Sequence, residues 1–211
     1  YRDWPHLGIV LQAYLRDCAA DTRALLEALR PREAPVTIRL VKGAYWDYET
    51  VIARQRNWPI PVFTQKAETD AHYERMVDLL LAHPAQVRLA VASHNVRSLA
   101  AAAATAERRG LPPTAVEYQM LYGMGDPLKR AALAQGWPLR VYTPCGQLIP
   151  GMAYLVRRLL ENTANTSFLR QGFHEGVKPE VLLRDPAASA PPAESAPPAP
   201  TGQTTGFRNA P

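Results

Sequence analysis

Arg157, Arg158 and Glu161 are the residues of this chain whose types and spacing best suit chemistry. Pro150 marks a helix start, since the first helical position tolerates its missing N–H. At roughly 100° per residue, Tyr154, Arg157, Arg158 and Glu161 share one helical face, and Met152, Leu155, Val156, Leu159 and Leu160 share the opposite one. The apolar face is expected to pack and the other to present two guanidiniums beside a carboxylate. An Arg fork matches a carboxylate and a Glu matches an ammonium, so the trio could hold both ends of a zwitterionic amino acid. It reads equally as a surface helix laced by i,i+3 and i,i+4 ion pairs, worth about 0.2–0.5 kcal/mol each.

The elements that must position this face follow a regular alternation. Strands are expected at 8–15, 36–41, 87–92, 116–121 and 139–142, with a short Pro-flanked sixth at 60–64. Helical spacing runs over about 17–30, 47–56, 69–83, 96–109 and 126–135. In the first helix Ala24, Leu25, Ala28 and Leu29 are expected inward, and in the third Met76, Val77, Leu79 and Leu80. Strands alternating with helices in this way mean a parallel sheet with crossover helices.

An open doubly wound sheet and a closed (β/α)8 barrel both fit that alternation. The open dinucleotide fold should show Gly-x-Gly-x-x-Gly after an early strand, and this chain has none. It has instead a polar or aromatic cluster after nearly every strand: Gln12 and Tyr14, Arg39 and Lys42, Thr64 and Lys66, His94 and Asn95, Gln119, then Tyr142. Functional groups drawn from many strand ends are what a barrel's C-terminal rim produces. A complete barrel takes about 250 residues and eight strands. The expectation is therefore a distorted barrel represented by its C-terminal five or so strands, unable to close alone.

The chain has 211 residues, 47% hydrophobic and 20% charged, enough for one domain with a sizeable core. Six of its 20 prolines fall between Pro186 and Pro200, where every residue except Glu194 is Pro, Ala or Ser. That stretch reads as a linker. The net charge of +5 is spread among acids, with no basic stripe interleaved with aromatics, which argues against nucleic-acid binding. Cys18 and Cys145 have neither metal-ligand spacing nor a disulfide framework, so no metal site is expected and a reducing compartment suits them. No apolar run reaches membrane-spanning length. The start at Tyr1 suggests a piece of something longer.

Four segments carry a more specific signal: Arg39-Leu-Val-Lys-Gly-Ala-Tyr-Trp46, Ala92-Ser-His-Asn95, Glu117-Tyr-Gln-Met-Leu-Tyr-Gly-Met124 and Tyr154-Leu-Val-Arg-Arg-Leu-Leu-Glu-Asn-Thr-Ala-Asn-Thr-Ser-Phe168. In order and spacing they resemble the proline dehydrogenase domain of bifunctional bacterial proline utilization A proteins, over roughly residues 7–177. The resemblance implies a distorted (β/α)8 barrel that binds FAD, oxidises L-proline to Δ1-pyrroline-5-carboxylate and passes electrons to a quinone. It implies that Arg157 and Arg158 clamp the proline carboxylate, that Glu161 meets the ring ammonium, and that Tyr142, Leu121, Tyr45 and Tyr154 wall the ring. It places Arg39 near flavin N5 and Gln12 and Gln119 at the isoalloxazine edge. Lys42, Gly43, Ala44 and Trp46, with Thr64, Lys66, Thr69, His94 and Asn95, would hold the ribityl, pyrophosphate and adenosine parts, Gly43 through a close backbone approach.

The residues alone leave other readings open. His94-Asn95 also reads as a helix N-cap, with Asn95 capping. Lys42 also suits a rim charge or the Schiff-base lysine of a flavin-free barrel lyase. An inactive fragment or interaction module is a third possibility. The resemblance further implies residues 1–180 as barrel, 181–204 as disordered Pro/Ala linker and 205–211 as the entry to an aldehyde dehydrogenase domain. The parent is then expected to be cytoplasmic, with membrane contact at most peripheral through its quinone.

Overall fold

A computed structural model describes residues 4–163 and 177–189, leaving aside the side chains at 150, 161–163 and 179. Five strands form one parallel sheet: β1 (Gly8–Gln12), β2 (Val36–Val41), β3 (Val87–Ala92), β4 (Val116–Leu121) and β5 (Leu139–Tyr142). Their spatial order is their sequence order. A doubly wound sheet must reverse that order at a switch point, whereas a barrel wall adds each strand beside the last. This sheet is an arc of barrel wall.

Helices α1 (Cys18–Leu29), α2 (Trp46–Gln55), α3 (Lys66–Leu81), α4 (Val96–Arg108) and α5 (Asp126–Ala134) fall between the strands, and α6 (Leu148–Thr163) follows the last. Val36, Ile38 and Leu40 of β2 and Val116, Tyr118 and Met120 of β4 are buried, while the residues between them are half-covered. This period of two turns one face of the sheet toward the helices. There Tyr73, Met76, Val77 and Leu80 of α3 and Leu99, Ala102 and Ala106 of α4 close the core. The other face carries Val10, Arg39, Ala90 and Glu117 in one register row, and Gln12 and Val41, then Ala92, Gln119 and Arg140, in the next.

Several elements differ from the sequence expectation. In α1 the inward residues are Cys18, Thr22, Leu26 and Leu29, while Ala24 and Ala28 are exposed. The larger Leu26 side chain wins the core side because it buries more apolar surface than alanine. Residues 60–64 do not join the sheet; only Leu15 and Val62 form an isolated antiparallel bridge. Pro59 and Pro61 each lack a ladder donor, which disqualifies an interior strand. Helix α3 starts at Lys66 rather than 69, because the Glu68 carboxylate accepts the Gln65 backbone N–H at 3.0 Å and caps the extra turn.

Helix α6 starts at Leu148, placing Pro150 within its first turn. Its faces are reversed relative to expectation. Met152, Leu155, Val156, Leu159 and Leu160 are exposed, the last two at 64% each, whereas Tyr154 and Arg158 are half-buried against the rim. The aromatic and cationic groups of the other face find partners on the rim, and those contacts orient the helix.

Residues 181–189, expected to open the linker, instead dock on the helices. A helical turn at Pro179–Leu182 and a 3-10 turn at Pro186–Ala188 bury Pro186. Arg97 of α4 ties them down, donating to the Leu183 carbonyl at 3.1 Å and pairing with Asp185 at 3.8 Å while it holds Glu74 of α3 bidentately at 2.8 and 2.9 Å. Residues 1–3, 164–176 and 190–211 lie outside the described set, and with them most of the expected linker and the 205–211 module.

Candidate active site

The C-terminal ends of the strands bring most of the singled-out residues to one rim. On the inner face of the sheet, Arg39 Nε donates to Gln119 Oε1 at 2.8 Å, spanning β3 to do so. The span is possible because the β3 residues in the rows between Arg39 and Gln119 are Ala90 and Ala92, with Arg88 one row earlier on the same face. Gln119 Nε2 in turn donates to Glu117 Oε1 at 2.7 Å, and Arg140 grips the Glu117 carboxylate with two bonds of 2.7 Å. The hydrogen bonds from Arg140 hold Glu117 below the usual carboxylate range.

Beyond β2, Lys42 Nζ meets Asp70 Oδ1 at 2.5 Å, and Lys66 Nζ contacts the other oxygen of the same carboxylate. Burial lowers the Lys42 pKa in spite of Asp70. Burial would raise the Asp70 pKa, yet the two ammoniums together keep it below its ordinary value. Two lysines on one carboxylate leave a net positive charge beside the first turns of α3 and α4. Lys66, Asp70, Asn95, Arg97 and the docked segment's Val181 and Pro186 line a cleft of about 410 Å³ there.

The residues between these two clusters are mainly held by the fold. Gly43 has φ +138°, and a Cβ there would lie 2.4 Å from the Tyr14 ring. The Tyr14 ring thus packs directly against the Gly43 backbone. Trp46 donates its indole N–H to the Phe63 carbonyl at 2.8 Å. Asn95 caps α4, accepting from Ser98 N at 3.3 Å. His94 Nε2 accepts from the Leu121 backbone N–H at 3.1 Å. Burial, helped by nearby Lys129 and Arg158, lowers the His94 pKa to about 4, so the ring is neutral with its proton on Nδ1. Gln12 ends β1 on the inner face, Thr69 sits half-buried in the first turn of α3, and Ala44 and Thr64 are exposed.

The remaining wall comes from α6, from Tyr45 at the start of α2 and from the ends of β4 and β5. Arg157 Nη1 donates to Tyr45 Oη at 3.0 Å, and its guanidinium lies 5.0 Å from that ring's centroid. Arg158 stacks 4.9 Å over Tyr154, whose ring is 6.1 Å from that of Tyr142. Leu121 pairs in register with Tyr142 at the ends of β4 and β5. Glu161 lies in α6, but its side chain falls outside the described set. Tyr45, Leu121, Tyr142, Tyr154, Arg157 and Arg158 thus form one aromatic and cationic patch, with Tyr45, Tyr142 and Arg157 exposed. Sequence reading missed Glu117, Asp70 and Arg140. Glu117-x-Gln119 on alternate positions of a strand and Lys66-x-x-x-Asp70 on a helix were the available signals.

The arc carries a cationic and aromatic rim at its C-terminal face, the face at which α/β-barrel enzymes place their sites. Residues 1–171 match the proline dehydrogenase family, and the chain belongs to it. It is 36% identical over 193 residues to the bifunctional protein PutA of Klebsiella aerogenes, covering 88% of this chain and 15% of that protein. It is 36% identical over 171 residues to a proline dehydrogenase of Deinococcus radiodurans, covering 81% of this chain and 49% of that one. The solved structure of proline utilization A from Bdellovibrio bacteriovorus inactivated by N-propargylglycine superposes with a TM-score of 0.88 at 50% identity, over 94% of this chain and 21% of that one. The chain thus spans about one seventh of the length of the PutA relatives and about half of the Deinococcus protein. With these relatives the arc is part of a TIM-like barrel.

Proposed function

We propose that this chain is the C-terminal part of an FAD-dependent proline dehydrogenase barrel, within a bifunctional parent that also carries an aldehyde dehydrogenase domain. The observation that carries this reading is the grouping of Tyr45, Tyr142 and Tyr154 with Arg157 and Arg158 at the strand ends. Two guanidiniums suit a carboxylate, and the aromatic wall suits a saturated ring. The Tyr154 hydroxyl is buried without a hydrogen-bond partner among the described residues. An orphaned buried hydroxyl costs about 1–3 kcal/mol, which favours a site completed by a further group.

The donor set fits FAD. Arg39 and Gln119 offer fixed donors on the sheet floor, and the Lys42, Lys66 and Asp70 cluster offers net positive charge next to a cleft at the first turns of α3 and α4. Such a path, amide and guanidinium at one end and ammonium at the other, matches a ring with polar edges joined to a pyrophosphate. When bound, the flavin would supply hydride acceptance and electron transfer to a quinone.

The chain's own residues would orient and select. Arg157 and Arg158 bind the proline carboxylate, Glu161 faces the ring nitrogen, and Tyr45, Leu121, Tyr142 and Tyr154 hold the ring while excluding water. Arg39 keeps a permanent charge at the ring edge, Gln12 and Gln119 bond that edge, and Lys42, Gly43, Ala44, Trp46, Thr64, Lys66, Thr69, His94 and Asn95 line the rest. The lyase alternative asks Lys42 for a free amine, and its ammonium is instead held by Asp70. Supplying the preceding barrel strands and measuring flavin retention and proline:quinone turnover tests the reading. Tight flavin and turnover are expected. A complete barrel that retains no flavin would sink it. The 211-residue chain alone is expected to bind FAD weakly.

A further inference from the structure

We propose that Glu117 is a positioning residue that sets the orientation of Gln119 and, through it, the Arg39 guanidinium. The inference rests on the flavin-facing role proposed for Arg39. An ionised carboxylate only accepts hydrogen bonds and a guanidinium only donates them. Gln119 lies between one of each, so its amide has a single satisfiable orientation: Nε2 toward Glu117 at 2.7 Å and Oε1 toward Arg39 Nε at 2.8 Å. That contact engages Arg39 Nε and leaves the two terminal nitrogens of the fork to reach onward.

The carboxylate is itself immobilised. Arg140 from β5 binds both its oxygens at 2.7 Å, so the chain Arg140, Glu117, Gln119, Arg39 crosses four of the five strands on the inner face. Nothing bulky interrupts it, because Ala90 and Ala92 of β3 leave the floor open. Replacing Glu117 by an isosteric amide removes the polarity constraint, since Gln can present either N–H or C=O to Gln119. Gln119 then samples both orientations, and in one of them its NH2 opposes Arg39. The Arg39 charge is held less firmly at the ring edge, where it favours the electron-rich reduced flavin.

Flavin-loaded parent protein is compared as unmodified, Glu117→Gln, Arg140→Met and Arg39→Met forms, reading the flavin midpoint potential and the rate of flavin reduction by proline. Glu117→Gln is expected to slow reduction three- to tenfold, with KM for proline within twofold. Loss of the carboxylate's own charge opposes the effect of a displaced Arg39 on the potential, so the rate is the deciding readout. Arg140→Met, which loosens the carboxylate but keeps its bond to Gln119, is expected to slow reduction less than twofold. If Glu117→Gln leaves potential and rate unchanged while Arg39→Met lowers both, Glu117 is only a rim ion-pair partner and this inference fails alone. Equal slowing of flavin reduction by Glu117→Gln and Arg140→Met overturns it as well. If Arg39→Met moves neither quantity, the flavin-facing role of Arg39 falls and takes this inference with it. Should Glu117→Gln fail to fold, Glu117→Asp, one methylene short of Gln119, is held to the same expectations.

Discussion

The backbone N–H of Leu121 donates to Nε2 of His94 across 3.1 Å. The bond joins the end of β4 to the loop after β3, and it requires a neutral imidazole. Burial lowers the His94 pKa from 6.5 to about 4, with Lys129 and Arg158 adding to the effect. The unfolded chain therefore binds more protons between those two values, and stability rises with pH across that window. The contribution is whole above pH 6.5 and lost progressively toward pH 4, at most about 3.5 kcal/mol at roughly 1.4 kcal/mol per pKa unit. Denaturant unfolding from pH 4 to 7 should show this slope, and His94→Gln, whose amide oxygen can accept from Leu121 without titrating, should flatten it. An equal slope in both proteins would assign the pH dependence elsewhere.

Gly43 is constrained in two ways. Its φ of +138° and the Tyr14 ring at the Cβ position impose separate costs. Gly43→Ala is expected to destabilise by about 2–4 kcal/mol, combining backbone strain with overpacking. In a Tyr14→Ala background the penalty should fall by at least about 1 kcal/mol, since only the strain is left. A double-mutant cycle with no coupling would show that the ring is not the obstacle.

Arg157 and Tyr45 should behave unequally. Arg157→Met is expected to lower kcat/KM for proline by about 30-fold to several thousandfold, mainly through KM, as about 2–5 kcal/mol is lost when a buried carboxylate loses its charged partner. Tyr45→Phe keeps the ring under the guanidinium and removes only the 3.0 Å bond. Its effect should stay within about tenfold, the worth of one hydrogen bond. Steady-state kinetics on the parent protein decide both, and an unchanged KM in Arg157→Met would overturn the clamp.

Ala90 is buried beneath the span from Arg39 to Gln119. Ala90→Leu should destabilise by about 1–3 kcal/mol through overpacking. It should also release flavin on gel filtration, by blocking the contact that spans β3. Full flavin retention in a folded Ala90→Leu protein would mean that the floor tolerates filling.

Arg97 fastens the docked segment to α3 and α4. Arg97→Ala should speed tryptic cleavage after Arg184 at least severalfold while the body of the domain stays resistant, as local opening governs such nicking. Unchanged cleavage in a time course on gels would show that the burial of Pro186 is sufficient by itself.

Composition, period and spacing determined much of this protein without coordinates. The short apolar-rich runs at 36–41 and 116–121 marked strands, and clusters at the strand ends located the rim. These signals are local, since each depends on how neighbouring residues share a face. Tertiary structure decided what each face meets. The two faces of α6 were legible, but only the contacts of Arg157 with Tyr45 and of Tyr154 with Tyr142 turned its polar side inward. The Lys42 pairing with Asp70, the Tyr14 ring under Gly43 and the Glu117 to Arg39 chain join residues 28 to 80 positions apart or oppose two elements in space. Periodicity carries no information about such pairs, because register and curvature of the sheet bring them together.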